Sequence, residues 1–207
     1  QRAEGGSSLN TPTQLGFRMP AEWEPHAGTW LTWPRHEGIS FPGLYDRIPP
    51  VFAAMVRALS NGESVFINVW DAHMEEEART VLKSHDALSD NIQFFHHRAY
   101  EPWCRDHGPV FVKNNNTRAV ISWDYNAWGG KYPPYDLDDQ IPEQIARVRN
   151  LECFKPKMVL EGGSIEVNGT GTLLATESCL LNPNRNPSLD KTAIENRLCN
   201  YLGVTNI

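Results

Sequence analysis

Two segments of this 207-residue chain superpose without a gap at a constant offset of 55 positions. Asp106 falls on Glu161, Gly108 on Gly163, Val110 on Ile165 and Val112 on Val167, and the Asn-rich turn at Asn114-Asn115-Asn116 meets Asn168-Gly169. Each copy reads as an acid, any residue, a glycine, a strand, a tight turn, a returning strand and later a helix. The returning strands are Ala119 to Trp123 and Leu173 to Thr176. A repeat of this size points to supersecondary units that bury their faces against neighbours. The competing explanation is that any two β-hairpins look alike. The shared acid-x-Gly lead-in argues against it, because it sets a carboxylate at the same end of both first strands.

Around this repeat the hydrophobic periodicity predicts an α/β chain. Gly28 to Trp33 has the β-branched and aromatic content of a strand, stopped by Pro34. Pro49-Pro50 opens a helix whose buried face is Phe52, Met55, Val56 and Leu59, and Asn61-Gly62 is expected to end it with a left-handed cap. Strands follow at Ser64–Val69 and Ile92–His96, separated by a helix from Ala72 to about Lys83. Further helices are predicted over Asp138–Val148 and from near Ser188, the last burying Ile194, Leu198 and Leu202 and stopping at Gly203.

Composition bounds the partners. The net charge of −6 and the lack of a dense Lys/Arg block argue against nucleic acid or an acidic membrane and favour cationic ligands. No apolar run approaches the roughly 20 residues of a membrane span. Residues 1–14 read as a polar, disordered leader without the apolar centre of a signal peptide, and residues 15–207 as part of one domain. The four cysteines, Cys104, Cys153, Cys179 and Cys199, are scattered without a C-x-x-C pair and read as reduced thiols of a cytoplasmic protein. The sequons at Asn115 and Asn168 are short enough to arise by chance.

Asp106 and Glu161, at equivalent ends of neighbouring units, could converge on one mouth, with the glycine two residues later letting backbone approach a ligand. Such a pair could act as the acid and base of a glycosidase, or grip a planar, permanently charged guanidinium. Trp103 could add an aromatic face to a cation. The plain alternatives are that Asp106 pairs with Arg105 or caps a turn and that Glu161 is solvated. The loop Asn126-Ala127-Trp128-Gly129-Gly130 supplies either a flat wall with backbone N–H donors or a core tryptophan beside a turn. In an extended segment Cys104 and Asp106 would share a face, which raises a thiol's pKa, so Cys104 reads as structural. His96-His97 would point to opposite faces of a strand, which argues against a metal pair.

Five motifs then carry a resemblance. Met19-Pro20-Ala21-Glu22-Trp23-Glu24-Pro25-His26-Ala27-Gly28-Thr29-Trp30, Arg105-Asp106-His107-Gly108-Pro109, Asn126-Ala127-Trp128-Gly129-Gly130, Leu160-Glu161-Gly162-Gly163-Ser164-Ile165 and Leu181-Asn182-Pro183-Asn184-Arg185-Asn186-Pro187 resemble, in order, motifs of the agmatine deiminases and the related bacterial-type peptidyl-arginine deiminases. The resemblance runs from about Leu15 to the end. It implies a pentein-type α/β propeller of five ββαβ units, of which this chain would hold roughly the first three. It also implies hydrolysis of a guanidinium to a ureido group with release of ammonia, through a cysteine amidino-thioether and without metal or organic cofactor. Agmatine would give N-carbamoylputrescine, a step toward putrescine and polyamines. By motif, Asp106 resembles the carboxylate that hydrogen-bonds two guanidinium nitrogens. Trp103, Glu161, Asn126, Trp128 and Gly129 resemble other parts of the substrate pocket, and a homo-oligomer is compatible.

The family's catalytic histidine and second guanidinium-binding aspartate lie in a Gly-His-x-Asp segment, and its nucleophile in Gly-Gly-x-Asn-x-His-Cys. Neither occurs in these 207 residues. The expectation is therefore an N-terminal part of a deiminase, inactive by itself. No arginine stands between Arg118 and Arg147 to meet a substrate carboxylate, which favours an amine such as agmatine, although Lys131-Tyr132-Pro133-Pro134-Tyr135 departs from the agmatine enzymes. Peptidyl-arginine, and a non-catalytic module that only binds a guanidinium, stay open.

Overall fold

A computed structural model describes residues 10–115 and 117–207. Residues 1–9 of the expected leader, and Asn116 of the expected turn, lie outside the described residues. Within residues 10–14, Thr13 donates its N–H to the carbonyl of Asn200 at 3.0 Å and its hydroxyl to that of Cys199 at 2.6 Å.

Three strands, β1 (Gly28–Thr32), β2 (Ser64–Asn68) and β3 (Ile92–Phe95), form a parallel sheet in the order β1-β2-β3. Parallel pairing requires crossovers, supplied by α1 (Ile48–Leu59) and α2 (Ala72–Ser84). Both helices bury one face against Leu31, Val65 and Ile67: Phe52, Ala53 and Val56 from α1, Ala78 and Leu82 from α2. Asp71 caps α2 by accepting the N–H of Met74 at 3.0 Å. Two details of α1 differ from expectation. Met55 is 39% exposed, so the buried stripe is narrower than the apolar spacing suggests. No left-handed cap forms either: Ser60 ends the helix with right-handed values and Gly62 has no positive φ. The chain instead leaves through tight turns in which Gly62 and Glu63 donate to the Leu59 carbonyl.

The repeat is visible as architecture. After a single helical turn, α3 (Cys104–His107), β4 (Val110–Lys113) and β5 (Arg118–Ile121) form an antiparallel hairpin, and β6 (Glu152–Phe154) adds parallel to β5. Between them lie a turn, α4 (Ala127–Gly130), and the helices α5 (Asp136–Asp139) and α6 (Ile141–Val148). The single predicted helix over 138–148 is therefore broken at Gln140, where Pro142 falls in the first turn of α6.

In the second copy the 3₁₀ turn Gly162–Ser164 leads into the hairpin of β7 (Ile165–Val167) and β8 (Leu173–Ala175). Helices α7 (Glu177–Leu180) and α8 (Lys191–Leu202) follow. Asn206 then bridges parallel to Thr172, as β6 does to β5. The left-handed Gly203 ends α8 as its sequence predicts. One shared core, with Val112, Ile121, Ile165, Val167, Leu173, Leu198 and Leu202, joins the two hairpins. The constant offset thus marks two β-β-α-β arrangements in a mixed α/β fold.

Candidate functional site

The lead-ins to the two hairpins meet. The segment Cys104–His107, extended by its sequence pattern, is a helical turn instead, because Asp106 and His107 donate their N–H groups back to the Trp103 carbonyl. Against it lies the turn at Gly162-Gly163. A β-carbon at Gly162 would sit 2.3 Å from the Arg105 carbonyl oxygen, and one at Gly163 would sit 2.3 Å from Asp106 Oδ1. The glycines of the second acid-x-Gly lead-in therefore permit close contact between the two units. The N–H of Gly163 donates to Asp106 Oδ1 at 3.1 Å.

Asp106 does not pair with Arg105, whose guanidinium turns to Glu22 and Glu166. Burial pushes the Asp106 carboxyl above the usual carboxylate range, and the charge of Glu161 pushes the same way. The Gly163 N–H, the Trp128 side chain and, more weakly, Arg105 oppose them. Glu161 is not solvated. It is 2% exposed and its Oε1 accepts Arg185 Nε at 2.7 Å, with the Arg185 side chain 8% exposed. With Glu161 buried and its Oε1 occupied by Arg185, the pair does not offer the two open carboxyls that flank a bond in a glycosidase.

Aromatic residues complete the wall. Trp103, 39% exposed, stands edge to face with Trp128 at 6.5 Å between ring centres, and Trp128 continues to Tyr125 at 5.7 Å and Tyr132 at 5.8 Å. Trp128 is presented on strained backbone: Ala127, Trp128, Gly129 and Gly130 all have positive φ, of 49°, 58°, 89° and 75°. For non-glycine residues this conformation costs on the order of 1–2 kcal/mol each, so the surroundings must enforce it. Asn126 does so, accepting the Gly129 N–H on Oδ1 at 2.8 Å and donating Nδ2 to the Asn184 carbonyl at 3.0 Å. Any side chain at Gly129 would collide with Asn184, 2.3 Å from the position of its β-carbon. Trp128 is half-buried rather than plugged into the core.

The fold brings Asp106, Trp103, Trp128, Asn126, Gly129 and Glu161 to one face. Asn184 and Arg185 belong there as well, although sequence reasoning gives them no role. Arg185 donates to both Glu161 and Asn184 Oδ1, the latter at 2.7 Å, so one motif supports both the acid and the strained loop. The signal that could have found them is an arginine in a Pro/Asn-rich turn later in the same unit as the buried carboxylate.

The remaining candidates are structural. Cys104 Sγ lies 3.2 Å from Thr32 Oγ1, and burial pushes its thiol up to about 11. The carboxylate contributing to that rise is Asp138, not Asp106. His107 is buried and neutral, lowered by desolvation to about 4, and its Nε2 donates to the Glu101 carbonyl at 3.0 Å. His96 faces Glu75 at 2.8 Å and His97 faces Asn68 Oδ1 at 3.0 Å. Among the described residues no cluster of His, Cys, Asp and Glu has the makings of a metal site, and no helix is long and apolar enough to cross a membrane.

The family model for Porphyromonas-type peptidyl-arginine deiminase matches residues 18–207, spanning all of these groups. The chain belongs to this family. Within it, an agmatine deiminase of Medicago truncatula is 38% identical over 212 residues, covering 96% of this chain and 54% of that protein. The structure of the Enterococcus faecalis agmatine deiminase superposes with a TM-score of 0.87 at 35% identity, over 96% of this chain and 54% of that one. A C. jejuni agmatine deiminase with substrate bound superposes with a TM-score of 0.81 at 27% identity, over 92% of this chain and 55% of that one. The chain thus spans about half the length of the deiminases it matches.

Proposed function

We propose that these residues form the guanidinium-gripping part of an agmatine deiminase-type hydrolase. The observation that carries the reading is Asp106: a partly desolvated carboxylate beside a second buried carboxylate, met by the Trp128 side chain, against which Trp103 stands edge to face. Its raised pKa marks an anion that gains from a cationic ligand, and a guanidinium offers paired donors to its two oxygens. The absence of arginine from residues 119–146, which include the aromatic-glycine loop, fits a substrate that ends in an amine.

In this reading agmatine and water give N-carbamoylputrescine and ammonia. A thiolate attacks the guanidinium carbon, the C–N bond to the departing ammonia breaks, and water then displaces the thiol to leave the urea. None of the four thiols here is set up to attack, since burial raises the pKa of Cys104, Cys153, Cys179 and Cys199 alike. The nucleophile and its histidine come from the part of the relatives' length that this chain does not span, and the 207 residues alone release no ammonia. Completing a five-unit propeller around the same mouth, in the cytoplasm, is part of this proposal.

The test measures ammonia release by the full-length protein from agmatine and from a peptidyl-arginine. The expected result is turnover of agmatine, preferred over the peptide, with Asp106→Asn lowering kcat/KM at least about 1000-fold. Asp106→Asn with near-normal activity would refute the assigned role.

A further inference from the structure

We propose that the loop Gly38–Phe41 is the wall that reads the aliphatic tail of the substrate, and that buried Glu101 is the positioning residue that holds it there. The inference rests on the deiminase reading above. Glu101 is only 7% exposed, and its carboxylate is taken up by this loop. It accepts the N–H of Ile39 at 2.8 Å, the N–H of Ser40 at 3.1 Å and the hydroxyl of Ser40. Three donors on one buried carboxylate compensate its desolvation and fix two successive loop residues.

The loop so fixed touches the site. Ser40 Oγ accepts the indole N–H of Trp103 at 2.7 Å, and the Phe41 ring lies 5.7 Å from that of Trp103. Phe41, Trp103 and Trp128 therefore form a continuous row of rings leading away from the Asp106 carboxylate. The backbone of Glu101 is tied to the same mouth, its carbonyl accepting His107 Nε2 and its N–H donating to Asp138 Oδ1 at 3.3 Å. One residue thereby locks the helical turn bearing Asp106 to the loop bearing Phe41.

The chemistry of the row suits one part of a guanidine substrate. A guanidinium held by Asp106 leaves its alkyl chain to run outward, and faces of Trp103 and Phe41 offer methylenes an apolar surface. Glu101 cannot itself meet the ligand, because its oxygens are taken by the loop. Its effect is therefore exerted through the position of Ser40 and Phe41.

The experiment compares agmatine with methylguanidine, which keeps the guanidinium and lacks the tail, using the full-length protein. Phe41→Ala, on a half-buried loop position, is expected to lower the selectivity ratio, kcat/KM for agmatine over methylguanidine, about tenfold through KM. That is the scale on which one or two methylenes change selectivity in an apolar pocket. Glu101→Gln is expected to lower the ratio similarly, and to lower it no more than about twofold further in the Phe41→Ala background. An unchanged ratio in Phe41→Ala would overturn the tail-reading role. Independent, multiplying losses in the double variant would overturn the positioning role of Glu101. A wild-type protein that turns over neither guanidine would sink the deiminase reading and this inference with it.

Discussion

The two acid-x-Gly lead-ins share a backbone plan and use their acids in opposite ways. In the first unit Asp106 is half-buried, holds one backbone N–H and has its pKa raised. In the second unit Glu161 is buried and neutralised by Arg185 at 2.7 Å. The asymmetry extends to the surroundings: burial also raises Asp124, Asp138 and Asp139, all in the first unit. Repetition thus sets where a carboxylate stands, and its neighbours decide whether it is consumed by the fold or left for a ligand.

The strongest way to break this comparison is to remove the counter-ion from one unit and the charge from the other. Arg185→Met leaves Glu161 buried without its partner, and breaking such a pair costs on the order of 3–5 kcal/mol. Urea unfolding of the 207-residue chain should show that loss, and adding Glu161→Met should recover most of it, since a well-filled apolar pair can replace a buried ion pair. Asp106→Asn should change stability by less than about 1 kcal/mol, because the amide oxygen still accepts the Gly163 N–H. Equal losses for Arg185→Met and Asp106→Asn would mean that both acids are structural.

Most of this plan is legible in the sequence. The offset of 55 aligns β4 with β7 and their lead-ins because strand patterning and an acid-x-Gly signature are local. The turn at Cys104–His107 reads as extended because four residues are too few for helical periodicity to show, and its hydrogen bonds return to Trp103. The Arg185–Glu161 pair spans 24 positions and joins two loops, so no spacing rule reports it. The cap at Gly62 fails for a different reason: a glycine permits a left-handed turn without requiring one.

A second pair of variants sharpens the comparison at matched positions. Gly108 and Gly163 are equivalent by the offset, and both lack room for a β-carbon. At Gly108 the obstacle is the Cys104 carbonyl oxygen, 2.2 Å away and fixed in the backbone of α3. At Gly163 it is Asp106 Oδ1, the end of a side chain that can rotate. Gly108→Ala should therefore cost about 2–3 kcal/mol, the upper range for overpacking. Gly163→Ala should cost about 1 kcal/mol or less while displacing Asp106, which appears as a higher KM in the full-length protein. Thermal unfolding and kinetics separate the two outcomes, and equal stability losses would show that Asp106 is as rigid as backbone.

A pH series tests whether the excess of uncompensated acid in the first unit is real. Asp138 is 1% exposed and accepts the N–H groups of Tyr100 at 2.6 Å and Glu101 at 3.3 Å. Burial nevertheless pushes its carboxyl from the ordinary 3.8 up to about 7, helped by the charges of Glu101 and Asp136. Between those values the native state keeps a proton that the unfolded chain has released. Stability therefore falls as pH rises through that window, and the penalty is complete above about 7. Asp138→Asn carries no such proton and still presents an oxygen to both donors. Its stability relative to the wild type should improve between about pH 4 and about pH 7.5 by up to about 4 kcal/mol, since a carboxyl moved from 3.8 up to about 7 holds its proton roughly a thousandfold more tightly in the folded chain. Urea midpoints at the two pH values measure it directly. A difference that does not change with pH would mean that Asp138 ionises like a surface carboxylate, leaving Asp106, Asp124 and Asp139 to carry the asymmetry between the units.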